Sequence, residues 1–515
     1  MPLDQSQTPL VDALKTCANK ANAAFYTPGH KRGQGISNRH NELFGSAIFH
    51  TDLPELPELD NLFAPEGVIL QAQRLAAEAF GADQTWFLAN GSTCGIQAAI
   101  LATCNPGDKI ILPRNVHASA IAGLILSGAR PIYQNPHYSS KWNIPTALDP
   151  SSIAVALTEH PDAKAVLVIS PTYQGICSDL KAIADHAHAH NIPLIVDEAH
   201  GPHFAFHPQL PPSALSAGAD IVVQSTHKVL SAFTQSAMLH RQGNRVDSNR
   251  INQCLQLTQS TSPSYLLLGS LDAARYQMAT AGEMLMAKTL ELADIAYTEL
   301  SKLSGLSLLQ LKNSDRTRLT VGVWELGLTG FSADAILHKR FGVTAELPSL
   351  HHLTFIISLG NTRSDIDHLI KGFQELASQN PTSQNPASQN PASQKRSRLS
   401  EKSGSSQAHS MKAHSMKTNS IKPFLPLPFP ALSSRSPRDA FYSKTYPTPT
   451  THAVGHICAE IICPYPPGIP ALLPGETITA EAIAHLQTLL NAGAIITGAQ
   501  DTTLQTILTV AEDCG

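Results

Sequence analysis

Between residues 75 and 240, short apolar runs of strand type alternate with helix-like stretches, and this alternation constrains the fold more than any other feature of the chain. The runs are 109–112 (KIIL), 165–169 (AVLVI), 193–196 (PLIV) and 220–223 (DIVV). Helix-like segments lie between them, such as 180–190, which Asn191 and Pro193 terminate. Strand, helix and strand repeated in this way predict an α/β fold with a largely parallel sheet covered by helices. Ligands in such sheets bind beyond the carboxyl ends of the strands. The residues that follow each run are therefore the ones to search for chemistry.

A length of 515 residues leaves room for two or three domains. A smaller mixed α/β region follows, with strand-like runs at 320–325 and 353–358. The composition then changes. Residues 378–394 repeat the unit SQNPT/SQNPA, and 408–417 repeat AHSMK twice. Such a segment buries too little apolar surface to offset its ordering entropy. It carries six basic residues against the single acidic Glu401. It reads as an expanded surface insertion, with a tether or docking tail as the alternative. The expected division is an N-terminal segment 1–60, a large cofactor-binding domain 61–300, a small α/β domain 301–377, a disordered insertion 378–420 and a C-terminal domain 421–515.

A net charge of −4 gives no global reason to expect nucleic acid or an anionic membrane as partner. No apolar run reaches the 18 residues or so of a membrane span, and residues 1–32 lack the pattern of a secretory signal. The eight cysteines are scattered without a CxxC pair, which suits reduced thiols in a cytoplasm. His186, His188 and His190 alternate on a helix-like stretch without a nearby cysteine, so a solvated face is expected and no metal site.

Four clusters fall where ligands are expected. Ser225-Thr226-His227-Lys228 follows the run 220–223. A partly desolvated lysine there has a lowered pKa and suits covalent anchoring of a carbonyl as a Schiff base, while the hydroxyls can hold a phosphate. Asp197-Glu198-Ala199-His200-Gly201 follows the run 193–196. Asp197 can pair with a protonated pyridine nitrogen, and the small Ala199 leaves room for a flat ring. DEAH also occurs in helicases, but no phosphate loop with Gly-Lys-Ser/Thr accompanies it. Asn90-Gly91-Ser92-Thr93-Cys94-Gly95 opens a helix-like stretch and offers N–H groups and hydroxyls to a phosphate; a plain helix cap is the other reading. His117 can stack on a ring. Taken in this order, the four suggest an enzyme that uses pyridoxal 5'-phosphate (PLP).

The chain resembles the bacterial Orn/Lys/Arg decarboxylases of PLP fold type I, the aspartate-aminotransferase-like fold. The matching stretches are 27–33 (TPGHKRG), 52–62 (DLPELPELDNL), 86–95 (WFLANGSTCG), 170–175 (SPTYQG), 196–207 (VDEAHGPHFAFH), 224–240 (QSTHKVLSAFTQSAMLH), 261–268 (TSPSYLLL) and 459–476 (AEIICPYPPGIPALLPGE). The resemblance implies that Lys228 anchors PLP, Asp197 holds its ring nitrogen and His117 stacks on it. Ser92, Thr93 and Ser225 would hold the phosphate, Ala199 and His200 would border the cofactor, and His227 would donate a proton. Glu460 would contact the substrate. The resemblance further implies a homodimer or higher homo-oligomer with its site at the interface, where Thr261 and Ser262 would reach the neighbouring subunit. With TPGHKRG starting at Thr27, an N-terminal wing domain is not expected. Ala118 and Val229 stand where the family often has lysine and threonine, and a histidine often found near Phe63 is absent.

The implied reaction is loss of CO₂ from arginine, lysine or ornithine, with arginine favoured, giving the amine used in polyamine metabolism. An aminotransferase is the rival enzyme. Aminotransferases clamp the α-carboxylate with a late arginine; this chain has no Arg or Lys after Lys444, while Arg316, Arg318, Arg340 and Arg363 lie earlier and could still serve. A catalytically silent PLP-binding regulator is the rival from another class; the intact lysine, aspartate and histidine speak against it.

Overall fold

The computed structural model describes residues 2–379, 435–465 and 468–511. Most of the 378–420 insertion, and the start of the C-terminal domain expected at 421, lie outside these residues; the helix Arg363–Ser378 runs to the insertion's edge.

The centre is a seven-stranded sheet of β1 (Gln84–Leu88), β2 (Lys109–Pro113), β3 (Arg130–Gln134), β4 (Ala165–Ile169), β5 (Leu194–Asp197), β6 (Ile221–Gln224) and β7 (Ala237–Arg241). Their spatial order is β1-β7-β6-β5-β4-β2-β3. Only β7 runs against its two neighbours; the others pair in parallel. The inner strands β4, β5 and β6 read as apolar runs because both faces are buried. Val166, Val168, Val196 and Val222 enter one core, while Leu167, Ile195, Ile221 and Val223 enter the other. Alternate side chains leave opposite faces of a strand, so each run feeds both cores at once. Each fully buried side chain of this kind contributes roughly 1.5–3 kcal/mol.

The buried polar groups of Glu198, Gln224, His240 and Thr85 form one hydrogen-bonded network. Glu198 accepts from Gln224 Nε2 at 2.7 Å and from the Ala214 N–H at 2.7 Å. Gln224 Oε1 meets His240 Nε2 at 3.1 Å, and His240 Nδ1 meets Thr85 Oγ1 at 2.7 Å. Burial pushes the Glu198 carboxyl up to about 8 and the His240 imidazole down to about 3.

A 37-residue helix, Tyr265–Ser301, leaves the large unit. Leu268, Leu271 and Met278 pack in the first core of the sheet. Leu292, Ala293, Ala296 and Leu300 pack in the core of the next unit. That unit has an antiparallel sheet of β8 (Ser307–Leu308), β9 (Arg318–Gly322), β10 (Leu347–Pro348) and β11 (His352–Ile356), in the order β8-β9-β11-β10. The run expected at 320–325 is the strand Arg318–Gly322, which ends earlier because Trp324–Leu326 forms a turn of 3₁₀ helix. Residues 435–511 carry two short antiparallel pairs, β12 (Thr445–Pro449) with β15 (Thr506–Val510) and β13 (Cys463–Tyr465) with β14 (Ile495–Thr497). The helix Ala480–Ala492 packs with them. Among the described residues, no helix is long and apolar enough to cross a membrane.

Candidate active site

The carboxyl ends of the central strands open on one cavity of about 170 Å³. Asp197 is the last residue of β5, opposite Ile169 of β4 and Val223 of β6. Lys228 comes four residues after the end of β6, on the short helix Thr226–Val229. His117 caps the helix Ala118–Ser127, which follows β2. All three side chains line the cavity, with Ser92, Ala199 and His200.

The electrostatics follow from burial. Asp197 is 8% exposed, and its carboxyl is raised above the usual range by desolvation, against the opposing pull of His117 and Lys228. It accepts the Ala199 N–H at 3.1 Å. Desolvation, opposed by Asp197 and supported by Arg318, lowers the Lys228 amine. A lowered pKa favours the nucleophilic, uncharged form of the amine. Its Nζ lies 3.1 Å from His200 Nε2 and 5.7 Å from the Tyr173 ring centroid. Nδ1 of His117 accepts the Ser119 N–H at 3.1 Å, which fixes the imidazole against the cavity.

Ser225 Oγ donates to Ser92 Oγ at 2.7 Å, joining the end of β6 to the first turn of the helix Gly91–Thr103. Gly91 starts that helix at φ +75°, where glycine avoids the strain a side chain meets. Gly95 lets the helix lie on the sheet: a Cβ there would stand 2.7 Å from Leu88 Cδ1 and 2.8 Å from Val223 Cγ1. This close fit brings the positive end of the helix dipole to the cavity.

Other predicted residues lie elsewhere. Thr93 is exposed in the first turn of that helix and does not line the cavity. His227 is outside the lining as well; its N–H donates to the Ser236 carbonyl at 3.2 Å. Thr261 and Ser262 are exposed, on a segment whose Ser260 N–H donates to Asn90 Oδ1 at 3.4 Å. Glu460 departs from the sequence expectation. It is buried, lies outside the cavity lining, and its oxygens accept the N–H groups of Gln500 (2.6 Å) and Leu508 (2.8 Å). A carboxylate used in this way ties two chain segments together and does not face a substrate.

Sequence reasoning gave no role to several residues that the fold brings in. Tyr173 stacks obliquely on His200, with centroids 4.6 Å apart. His352 and Phe331 reach the cavity from the second unit, and His485 and Leu489 from the helix Ala480–Ala492. Arg318 of β9, a candidate carboxylate clamp on the sequence, stands behind His200 and outside the cavity lining. Tyr173 sits inside the SPTYQG stretch and was open to discovery there; the others come from distant segments that only the tertiary fold joins.

A seven-stranded sheet of this order, with a buried carboxylate and a lysine on successive strand ends and smaller units after it, defines a PLP-type fold I enzyme architecture. Residues 8–325 match the family model described as Orn/Lys/Arg decarboxylase, major domain, and residues 424–500 match the model of its C-terminal domain. The chain belongs to the Orn/Lys/Arg decarboxylase family. It is 39% identical to an arginine decarboxylase of Bacillus subtilis over 99% of both chains. It is 36% identical to an arginine decarboxylase of Bacillus anthracis over 99% of this chain and 98% of that one. The constitutive lysine decarboxylase of E. coli has the same fold, at a TM-score of 0.79 and 20% identity, covering 99% of this chain and 82% of that one.

Proposed function

We propose that this protein decarboxylates a basic amino acid, with arginine as the favoured substrate, using PLP anchored on Lys228. The observation that carries the reading is the meeting of the Lys228 amine, the buried Asp197 carboxylate and the His117 ring in one cavity at the strand ends. The donor set suits PLP. Asp197 has no cation within hydrogen-bonding distance among the described residues, and a protonated ring nitrogen would supply one. Ser92 and Ser225 offer hydroxyls beside a helix N-terminus, which suits a phosphate. Ala199 leaves space for a flat ring.

When bound, PLP supplies an electron sink for the bond to the departing carboxylate. The residues supply the rest. Asp197 would hold the ring nitrogen by its charge, His117 and Ala199 would flank the ring, and Lys228 would anchor the cofactor covalently. Among the described residues lining the cavity there is no arginine, and no lysine besides Lys228, so no fixed cation faces the α-carboxylate. An arginine clamp of aminotransferase type would stabilise the carboxylate that has to leave, and its absence from this lining favours decarboxylation. The arginine preference rests on the two relatives of 36–39% identity.

The exposed Thr93, Thr261 and Ser262 lie on the chain around the Asn90–Ser92 turn, and a second copy of the chain covering them would complete the phosphate end in a homodimer. The test is CO₂ release from arginine, lysine and ornithine in parallel, with PLP added and the amine product identified. Release from arginine with agmatine as product is expected. Absence of CO₂ from all three, in protein that binds PLP, overturns the reading.

A further inference from the structure

Arg318, His200 and Lys228 form a line of nitrogen atoms. Arg318 Nη2 lies 3.3 Å from His200 Nδ1 and 2.9 Å from the His200 carbonyl oxygen. On the other edge of the ring, His200 Nε2 lies 3.1 Å from Lys228 Nζ. The guanidinium is fully buried at the meeting of β9 with the large unit, its Nε 3.9 Å from Asp315 Oδ2. Asp315 is itself held by His203 Nε2 at 3.1 Å and by the Thr317 N–H at 2.9 Å. The site is crowded around Arg318: a Cβ on Gly175 would stand 2.8 Å from its Cβ and Cγ. Arg318 is thus confined between Asp315 and the Gly175 turn.

An arginine has only donors and keeps its proton in a protein. His200 Nδ1, facing Arg318, has to be the acceptor. A neutral imidazole with Nδ1 unprotonated carries its hydrogen on Nε2. That N–H points at Lys228 Nζ, which has to accept it, and only an uncharged amine has a lone pair to do so. An ammonium there would set donor against donor.

We infer that Arg318 is a positioning residue: it fixes His200 as the Nε2–H tautomer, and His200 in turn holds Lys228 as a free amine. The role given to Lys228 rests on the reading above, while the tautomer does not. The surroundings agree. Burial is the largest influence holding the His200 imidazole well below its ordinary pKa, and the fixed charge of Arg318 acts in the same direction. Lys228 faces Asp197 and Glu346 as well as Arg318, and its own burial is the largest influence. The sequence gives Arg318 no such place, since it lies 118 residues from His200 and on a different sheet.

The test is solid-state NMR of the full-chain protein with ¹⁵N-labelled histidine, the His200 signals being assigned by their loss in His200→Phe. A protonated Nε2 and an unprotonated Nδ1 are expected from pH 6 to 8. A protonated Nδ1, or a ring protonated at both nitrogens in that range, overturns the inference. In Arg318→Met the fixed tautomer should be lost, with Nδ1–H signal appearing at His200 while His117, held by the Ser119 N–H, is unchanged. An unaltered His200 spectrum in folded Arg318→Met also overturns it. If Arg318→Met does not fold, the wild-type spectrum still decides. Failure of the proposed reaction appears separately, as absent CO₂, and leaves the tautomer result standing.

Discussion

Arg114 and Glu476, 362 residues apart in the chain, form a fully buried two-point ion pair, with Nε–Oε1 at 2.6 Å and Nη2–Oε2 at 2.8 Å. Arg114 also donates to the carbonyls of Pro470 (2.9 Å) and Ala471 (3.3 Å), both cavity residues. The pair fastens the turn that carries His117 to the C-terminal unit. Removing one partner leaves the other charge buried and alone, at a cost of about 3–5 kcal/mol. Arg114→Met should lower the melting temperature and make the 435–511 region sensitive to protease. A variant as stable and resistant as wild type would refute this account of the pair.

Lys228→Ala should abolish the yellow absorbance of PLP-loaded protein and reduce turnover to background. Asp197→Ala should keep a lysine able to bind PLP yet lose about 10²–10³-fold in turnover, the size expected for removing a preorganised electrostatic partner. Absorbance spectra and CO₂ assays with excess PLP check both. Normal turnover in either variant contradicts the role assigned to that residue.

His240 supplies a pH dependence away from the cavity. Burial lowers its folded pKa from 6.5 to about 3. The unfolded chain therefore binds the proton more readily in that window, and stability falls as pH falls below 6.5. Between pH 6.5 and 5 this one group accounts for about 2 kcal/mol. His240→Gln should show a shallower acid loss than wild type in melts at the two pH values. Equal slopes would remove His240 as a cause.

Gly95→Ala should cost about 1–3 kcal/mol by overpacking, because its Cβ would press on Leu88 and Val223. The helix Gly91–Thr103 has to lift to make room, which moves Ser92 away from Ser225. PLP titration should show weaker binding alongside the lower melting point. A destabilised protein with unchanged PLP affinity would separate packing from the phosphate site.

Glu460→Gln should act on stability and leave the KM for substrate unchanged. The new amide places donors where Glu460 accepts from the Gln500 and Leu508 N–H groups, a mismatch of about 1–3 kcal/mol. Denaturant melts and initial rates measure the two effects. A raised KM at unchanged stability would restore Glu460 to the substrate.

The strands legible from sequence, such as Ala165–Ile169, are those buried on both faces, whose side chains are apolar throughout. Arg130–Gln134 was not legible, since this edge strand is partly exposed and reads RPIYQ. The helix Tyr265–Ser301 shows no steady apolar stripe in its sequence because its buried positions include Asp272, Arg275, Gly282 and Thr289. Lys228 and Asp197 could be found because each follows a strand run at short range. Arg318, His352 and His485 could not, because their approach to the cavity depends on how separate units pack. Glu460 was expected at the substrate from the family resemblance, and sequence does not reveal which N–H groups already occupy a carboxylate.

The cavity wall is drawn from three separately built units: strand ends of the central sheet, Phe331 and His352 of the second unit, and His485 and Leu489 of the last. A small molecule lodged there touches all three and acts as a bolt through a hinge. Ligand that binds the folded form adds RT ln(1 + [L]/Kd) to its stability, and here that gain falls on the joints between units. The loaded protein should then melt as one body, and the empty one in steps, with the C-terminal unit leaving first.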